Sequence, residues 1–139
     1  MCGIAGLFNY ESSGEYSYEY NLKRMLSAIN YRGPDESGIY LGNQVGLGSV
    51  RLSIVDLSTG QQPLSDESGN YWIVYNGEVF NYPELRELLE NKGVRFKTTS
   101  DTEVVVQMYA LYGADCLKYF NGQFAFCIWD KKKEELFLA

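Results

Sequence analysis

Strand-like and helix-like stretches succeed one another along this chain without settling into a regular β-α repeat, and that order restricts the fold most. Residues 3–8 (GIAGLF) read as a buried strand whose glycines mark close approach of other atoms. In EYNLKRMLSAIN, Leu22, Met25, Leu26 and Ile29 recur at i, i+3, i+4 and i+7, the spacing of an amphipathic helix. From Gly38 to Asp56 the pattern is β-like, with breaks at Gly42-Asn43 and near Gly46 and Gly48. QQPLSD, a turn at ESGN and then YWIVY predict a hairpin. NYPELRELLENKG predicts a helix with Pro83 in its first turn, Leu85, Leu88 and Leu89 as its apolar stripe and Gly93 at its stop. In SDTEVVVQMYALYG, Ser100 and Glu103 have capping-box spacing, and Val104, Met108 and Leu111 form one face. A short helical piece at ADCLKYF, a strand at GQFAFCIWD, the turn KKK and a last strand EELFLA follow. This mixture predicts an α+β fold with largely antiparallel sheets rather than a doubly wound parallel one.

The 139 residues suit one domain with a single core. No apolar run approaches bilayer-spanning length, and no basic segment followed by an apolar stretch opens the chain, so a cytoplasmic protein without a membrane partner is expected. The formal net charge of -6 argues against nucleic acid, whose phosphates demand a basic face. Three cysteines at irregular spacing imply no disulfide framework, and Cys116 and Cys127, in apolar contexts, are assigned to packing.

Histidine is absent, which excludes a Cys-His pair, a Ser-His-Asp triad and any imidazole-bearing zinc site, and no metal is expected. If Cys2 is a nucleophile, its base must be its own α-amine, freed by removal of Met1. That amine titrates at about 7.7 to 8.0, close to the thiol's ordinary value of about 8.5, and can carry the thiol proton. Core packing remains the competing reading of Cys2, since free cysteine is often buried. Arg51 alternates onto one face with Leu47, Ser49, Ser53 and Val55, where small neighbours leave a guanidinium room to grip a carboxylate. A surface arginine on a half-exposed strand accounts for the same line. Asn76-Gly77 is a hairpin signal, but only EVFN intervenes before Pro83; a strand running into this turn can instead offer an amide and a backbone N–H to an oxyanion. Asp101 suits either the first turn of a helix or an ammonium group. Gly33, Pro34 and Asp35 in YRGPDESG have the chemistry of a tight turn. A thiol with its own amine, an arginine, an acid and a donor pair complement a free amino acid with a side-chain amide, which is glutamine.

MCGIAG, RGPDESG, RLSIVDLSTGQQPL, YNGEVFNY, SDTE and FNGQFAFCIWD span nearly the whole chain. In these stretches it resembles the N-terminal glutaminase domain of the glutamine-dependent asparagine synthetases, a class II glutamine amidotransferase of the N-terminal-nucleophile (Ntn) hydrolase fold. The resemblance implies a four-layer αββα sandwich with two antiparallel sheets over residues 1–139. It implies Cys2 as nucleophile on the glutamine amide, releasing ammonia through a γ-glutamyl thioester, with Asn76 and Gly77 stabilising the oxyanion. Arg51 would hold the α-carboxylate, backbone groups of Leu52, Ser53, Ile54 and Val55 would line the pocket, and Glu78 and Asp101 would meet the α-ammonium group. Arg32 to Asp35 would support the nucleophile strand. Members of the family continue beyond the strand that EELFLA resembles, so the domain is expected to be C-terminally truncated and incomplete. On that reading this chain binds no cofactor, ATP and Mg belong to the missing synthetase domain that is its partner, and an exposed strand edge favours a homodimer. Two alternatives stay open: a non-catalytic scaffold or dimerisation fragment that retains Met1, and an Ntn amidohydrolase acting on another amide.

Overall fold

In the computed structural model, which describes residues 2–10, 18–52 and 60–139, two antiparallel sheets face each other with helices on their outer sides. The first sheet has the order β1-β3-β2 and comprises β1 (Gly3–Phe8), β2 (Glu36–Leu41) and β3 (Val45–Arg51). The second has the order β4-β5-β6-β7 and comprises β4 (Leu64–Ser65), β5 (Tyr71–Val79), β6 (Gly122–Asp130) and β7 (Glu135–Leu138). Helix α1 (Tyr18–Ile29) lies on the first sheet, while α2 (Tyr82–Asn91) and α3 (Asp101–Tyr112) cover the second. The layer order is the αββα sandwich expected above. No described helix is long and apolar enough to cross a membrane.

Alternation along β3 explains why both of its faces are buried. Val45 and Leu47 turn to the opposite sheet and pack with Val74, Cys127 and Trp129. Gly46 and Gly48 turn to α1, where a Cβ on Gly46 would lie 2.6 Å from Leu22 Cδ1 and one on Gly48 3.0 Å from Leu26 Cδ1. These glycines therefore seat the helix on the strand instead of breaking it, and β3 runs unbroken through both. Leu22 and Leu26 are buried against it, whereas Met25 lies on the exposed flank of α1.

The larger core lies between the second sheet and its helices. Ile73, Tyr75 and Val79 of β5 meet Leu85 and Leu89 of α2 and Val104, Val105 and Met108 of α3. Leu111, expected to extend that face of α3, is 46% exposed, so the buried stripe ends one turn early. Ser100 caps α3 as expected, its Oγ accepting the Thr102 N–H at 3.1 Å. The reciprocal half of the capping box is not formed. Glu103 is only 2% exposed and accepts instead from the backbone N–H groups of Lys97 and Thr98 and from Thr98 Oγ1. The preceding segment folds over the first turn and offers these buried donors, while the Ser100 N–H goes to Thr98 Oγ1.

The expected turn at Asn76-Gly77 is also absent. β5 continues to Val79, paired throughout with β6, with Asn76 opposite Ala125 and Gly77 opposite Phe124. Glycine is needed because a Cβ at position 77 would lie 2.5 Å from Phe124 Cα, within the partner backbone.

Candidate active site

Cys2 before β1, the end of β3, the last third of β5 and the first turn of α3 converge on one cavity of about 570 Å³. Its walls include Cys2, Arg51, Leu52, Asn76, Gly77, Glu78 and Asp101, so every site candidate among the described residues lines a single space. Ser53, Ile54 and Val55, and Met1 whose removal would free the amine, lie outside the described residues.

Cys2 is half-buried and its thiol is free. Its carbonyl oxygen accepts a hydrogen bond from Arg32 Nε at 3.1 Å, which fixes the chain just before β1. The next residue, Gly33, packs directly on β3: a Cβ there would come within 2.6 Å of the Arg51 backbone. The Asp35 N–H then donates to the Arg51 carbonyl at 3.1 Å. The RGPD segment thus buttresses the start of β1 and the end of β3 together.

Arg51 closes β3 and is 6% exposed. Glu36, directly opposite in the β2–β3 register, forms an ion pair with it at 2.9 Å (Nη1 to Oε2). Sequence reasoning missed Glu36, because that pairing depends on strand register. The neighbouring Ser49 hydroxyl turns to the Gln62 carbonyl at 3.1 Å and leaves the guanidinium its space.

The edge of β5 explains the donor group. Ile73 is paired with Leu64, where β4 begins, and among the described residues no strand stands beside β5 further along that edge. There the Tyr75 N–H donates to Gln62 Oε1 at 2.7 Å and the Val79 N–H to Asp101 Oδ2 at 3.2 Å. Alternation puts the Gly77 N–H between them on the same edge, facing the cavity, and among the described residues it meets no acceptor. Asn76 and Glu78 fall on the opposite side of the strand from Tyr75, and both line the same cavity.

Asp101 is the first residue of α3, where the helix dipole favours a carboxylate. Its Oδ2 also accepts from the Tyr75 hydroxyl at 2.8 Å. Burial, and after it the Asp101 charge, push the Tyr75 phenol far above its ordinary range, so it remains a donor. Among the described residues both hydrogen bonds to Asp101 fall on Oδ2, leaving Oδ1 for a ligand.

Burial pushes the thiols of Cys116 and Cys127 up to about 11, which keeps both protonated at neutral pH and leaves Cys2 as the accessible thiol. Among the described residues no cluster of His, Cys, Asp or Glu could hold a metal ion. Gln62, Tyr75, Thr102 and Gln123 also line the cavity and were not singled out from the sequence. The QQPL stretch reads there simply as the first arm of a hairpin.

The family model described as a glutamine amidotransferase domain matches residues 1–139. Over its whole length the chain is 45% identical to asparagine synthetase [glutamine-hydrolyzing] 1 of Bacillus subtilis, of which it covers 22%. It is 41% identical to a putative asparagine synthetase [glutamine-hydrolyzing] of Methanocaldococcus jannaschii, covering all of this chain and 30% of that protein. It is 40% identical to the amidase chry2 of Gibberella zeae, covering 22% of it. The chain therefore spans less than a third of the length of these relatives. Among solved structures, the fold is similar to that of the glutamine phosphoribosylpyrophosphate amidotransferase from B. subtilis. That match has a TM-score of 0.67 and 23% identity over 92% of this chain and 35% of that one.

Proposed function

Because this chain belongs to the family of glutamine amidotransferase domains, we propose that it hydrolyses the side-chain amide of free glutamine to glutamate and ammonia. The observation that carries this reading is the convergence of Cys2, Arg51, Asn76, Gly77, Glu78 and Asp101, distant in sequence, on one cavity.

With Met1 removed, the α-amine of Cys2 takes the thiol proton and the sulfur attacks the amide carbon. Negative charge develops on the amide oxygen, where the Asn76 side-chain amide and the Gly77 N–H supply donors, each worth about 10²- to 10³-fold in rate. The tetrahedral intermediate collapses as the ammonium of Cys2 returns its proton to the leaving nitrogen, and ammonia departs. A γ-glutamyl thioester remains for water to cleave. Arg51 holds the substrate α-carboxylate, with Leu52 alongside, and Glu78 and Asp101 hold the α-ammonium group.

In a longer protein of the asparagine synthetase kind, the ammonia would serve a synthetase domain that uses ATP and Mg to amidate a carboxylate. We place the reaction in the cytoplasm, where free thiols persist. The test is ammonia release from glutamine and from asparagine by the wild-type chain and by Cys2→Ser. Release from glutamine alone, abolished in the variant, supports the reading; equal release from both amides, or release that survives the substitution, contradicts it.

A further inference from the structure

Gln62 makes none of the substrate contacts above, yet it is 9% exposed and bonds to β3, β5 and α3, which carry Arg51, Asn76 to Glu78 and Asp101. On β3, two residues before Arg51, the Ser49 hydroxyl donates to its main-chain carbonyl at 3.1 Å. On β5, one residue before Asn76, the Tyr75 N–H donates to its Oε1 at 2.7 Å. On α3, next to Asp101, Thr102 Oγ1 accepts from its Nε2 at 3.4 Å. On β2, two residues beyond Glu36, Gly38 leaves no room for a Cβ because the Gln62 carbonyl occupies that place.

We propose that Gln62 is a positioning residue for the oxyanion donors, its side-chain amide standing where a strand would otherwise pair with β5. The proposal rests on the glutamine-hydrolysis reading for its kinetic consequence but not for its geometry. Among the described residues β4 is too short to cover this edge, so while β6 pairs the other edge, on this one the Gly77 N–H is steadied by the bonds on either side of it, Tyr75 to Gln62 and Val79 to Asp101. An oxyanion donor acts only within about 2.7–3.1 Å of the place the oxygen will occupy. A displacement of about 1 Å costs on the order of 10²-fold. Both ends of the Gln62 amide are engaged, so an apolar replacement of similar length frees the Tyr75 N–H and loosens that edge.

The experiment measures kcat and KM for Gln62→Met and for the milder Thr102→Val, which loses only the contact on α3. Rates are expressed per Cys2 labelled by a glutamine-analogue electrophile, so that unfolded material does not count. Amide resonances of the unliganded proteins are recorded alongside. The expected result for Gln62→Met is a fall in kcat of about 10- to 100-fold with KM within about threefold, and a smaller fall in the same direction for Thr102→Val. The Tyr75 and Gly77 amides shift, while that of Val74, which bonds toward β6, does not. A lower melting temperature with unchanged kcat per labelled site and an unmoved Gly77 amide would mean a merely structural role and overturn the proposal. If Gln62→Met does not fold, Thr102→Val decides by the same criteria. If the wild-type chain releases no ammonia but the Gly77 amide shifts, the hydrolysis reading fails and the positioning role stands.

Discussion

Replacing Arg51 by methionine should separate the grip on substrate from the stability of the fold. The Arg51 side chain is 7% exposed, but that of its partner Glu36 is 31% exposed. The abandoned carboxylate can turn to water, so the fold should lose only about 1–2 kcal/mol. Glutamine, by contrast, loses a charge-assisted contact to its α-carboxylate inside a cavity, where such pairs are worth about 2–5 kcal/mol when one partner is removed. At about 1.4 kcal/mol per decade that is a fall in kcat/KM of roughly 30-fold to several thousandfold. Most of it should appear in KM, because the contact is made in the ground state as well as the transition state. The assay is ammonia release from glutamine and from an analogue whose α-carboxylate is reduced to an alcohol. Wild type should favour glutamine by the same factor that the substitution costs, and Arg51→Met should treat the two alike. A variant that keeps the preference would refute the assignment, because the carboxylate would then be held elsewhere.

Three other outcomes follow from the packing. Glu103→Ala strands the Lys97 and Thr98 N–H groups around a side chain that is 2% exposed, and should lower stability by about 3–5 kcal/mol in a denaturant titration; a loss below about 1 kcal/mol would show that these bonds matter little. Gly77→Ala places a Cβ within the backbone of Phe124 and must part β5 from β6, so it should cost both folded yield and activity, whereas a stable, fully active variant would contradict the close approach. Burial holds Cys116 and Cys127 at about 11 in the fold, above the thiol's ordinary value of about 8.5, so the unfolded chain releases these protons first. Their contribution to stability is complete below about pH 8.5 and lost as pH rises through about 11, and a stability profile flat across that window would contradict the burial of both thiols.

The parts of this molecule that were legible in its sequence are those decided locally or by one face. The stripe Leu22 and Leu26 announces α1, Ser100 announces the start of α3, and alternation places Arg51 on the face of Leu47 and Ser49. What escaped depends on neighbours far away in sequence. Asn76-Gly77 carries strong local turn chemistry, but β6 pairs along the whole of β5 and overrides it. Glu103 sits at capping-box spacing, yet the fold brings Lys97 and Thr98 over it and offers more donors than the cap would. Glu36 could be matched to Arg51 only through the β2–β3 register, and Gln62 gains its role only because β4 is so short. The residues that line the candidate cavity could therefore be picked out along the sequence, while those that pack around them could not.

We assign the nucleophile to Cys2 as the N-terminal residue of the mature chain. Intact mass before and after exposure to a glutamine-analogue electrophile, with peptide mapping of the adduct, tests it most directly. The chain should have lost the mass of Met1 and carry one adduct confined to Cys2, with Cys116 and Cys127 protected by burial. A chain that retains Met1, or label spread equally over the three cysteines, would contradict it.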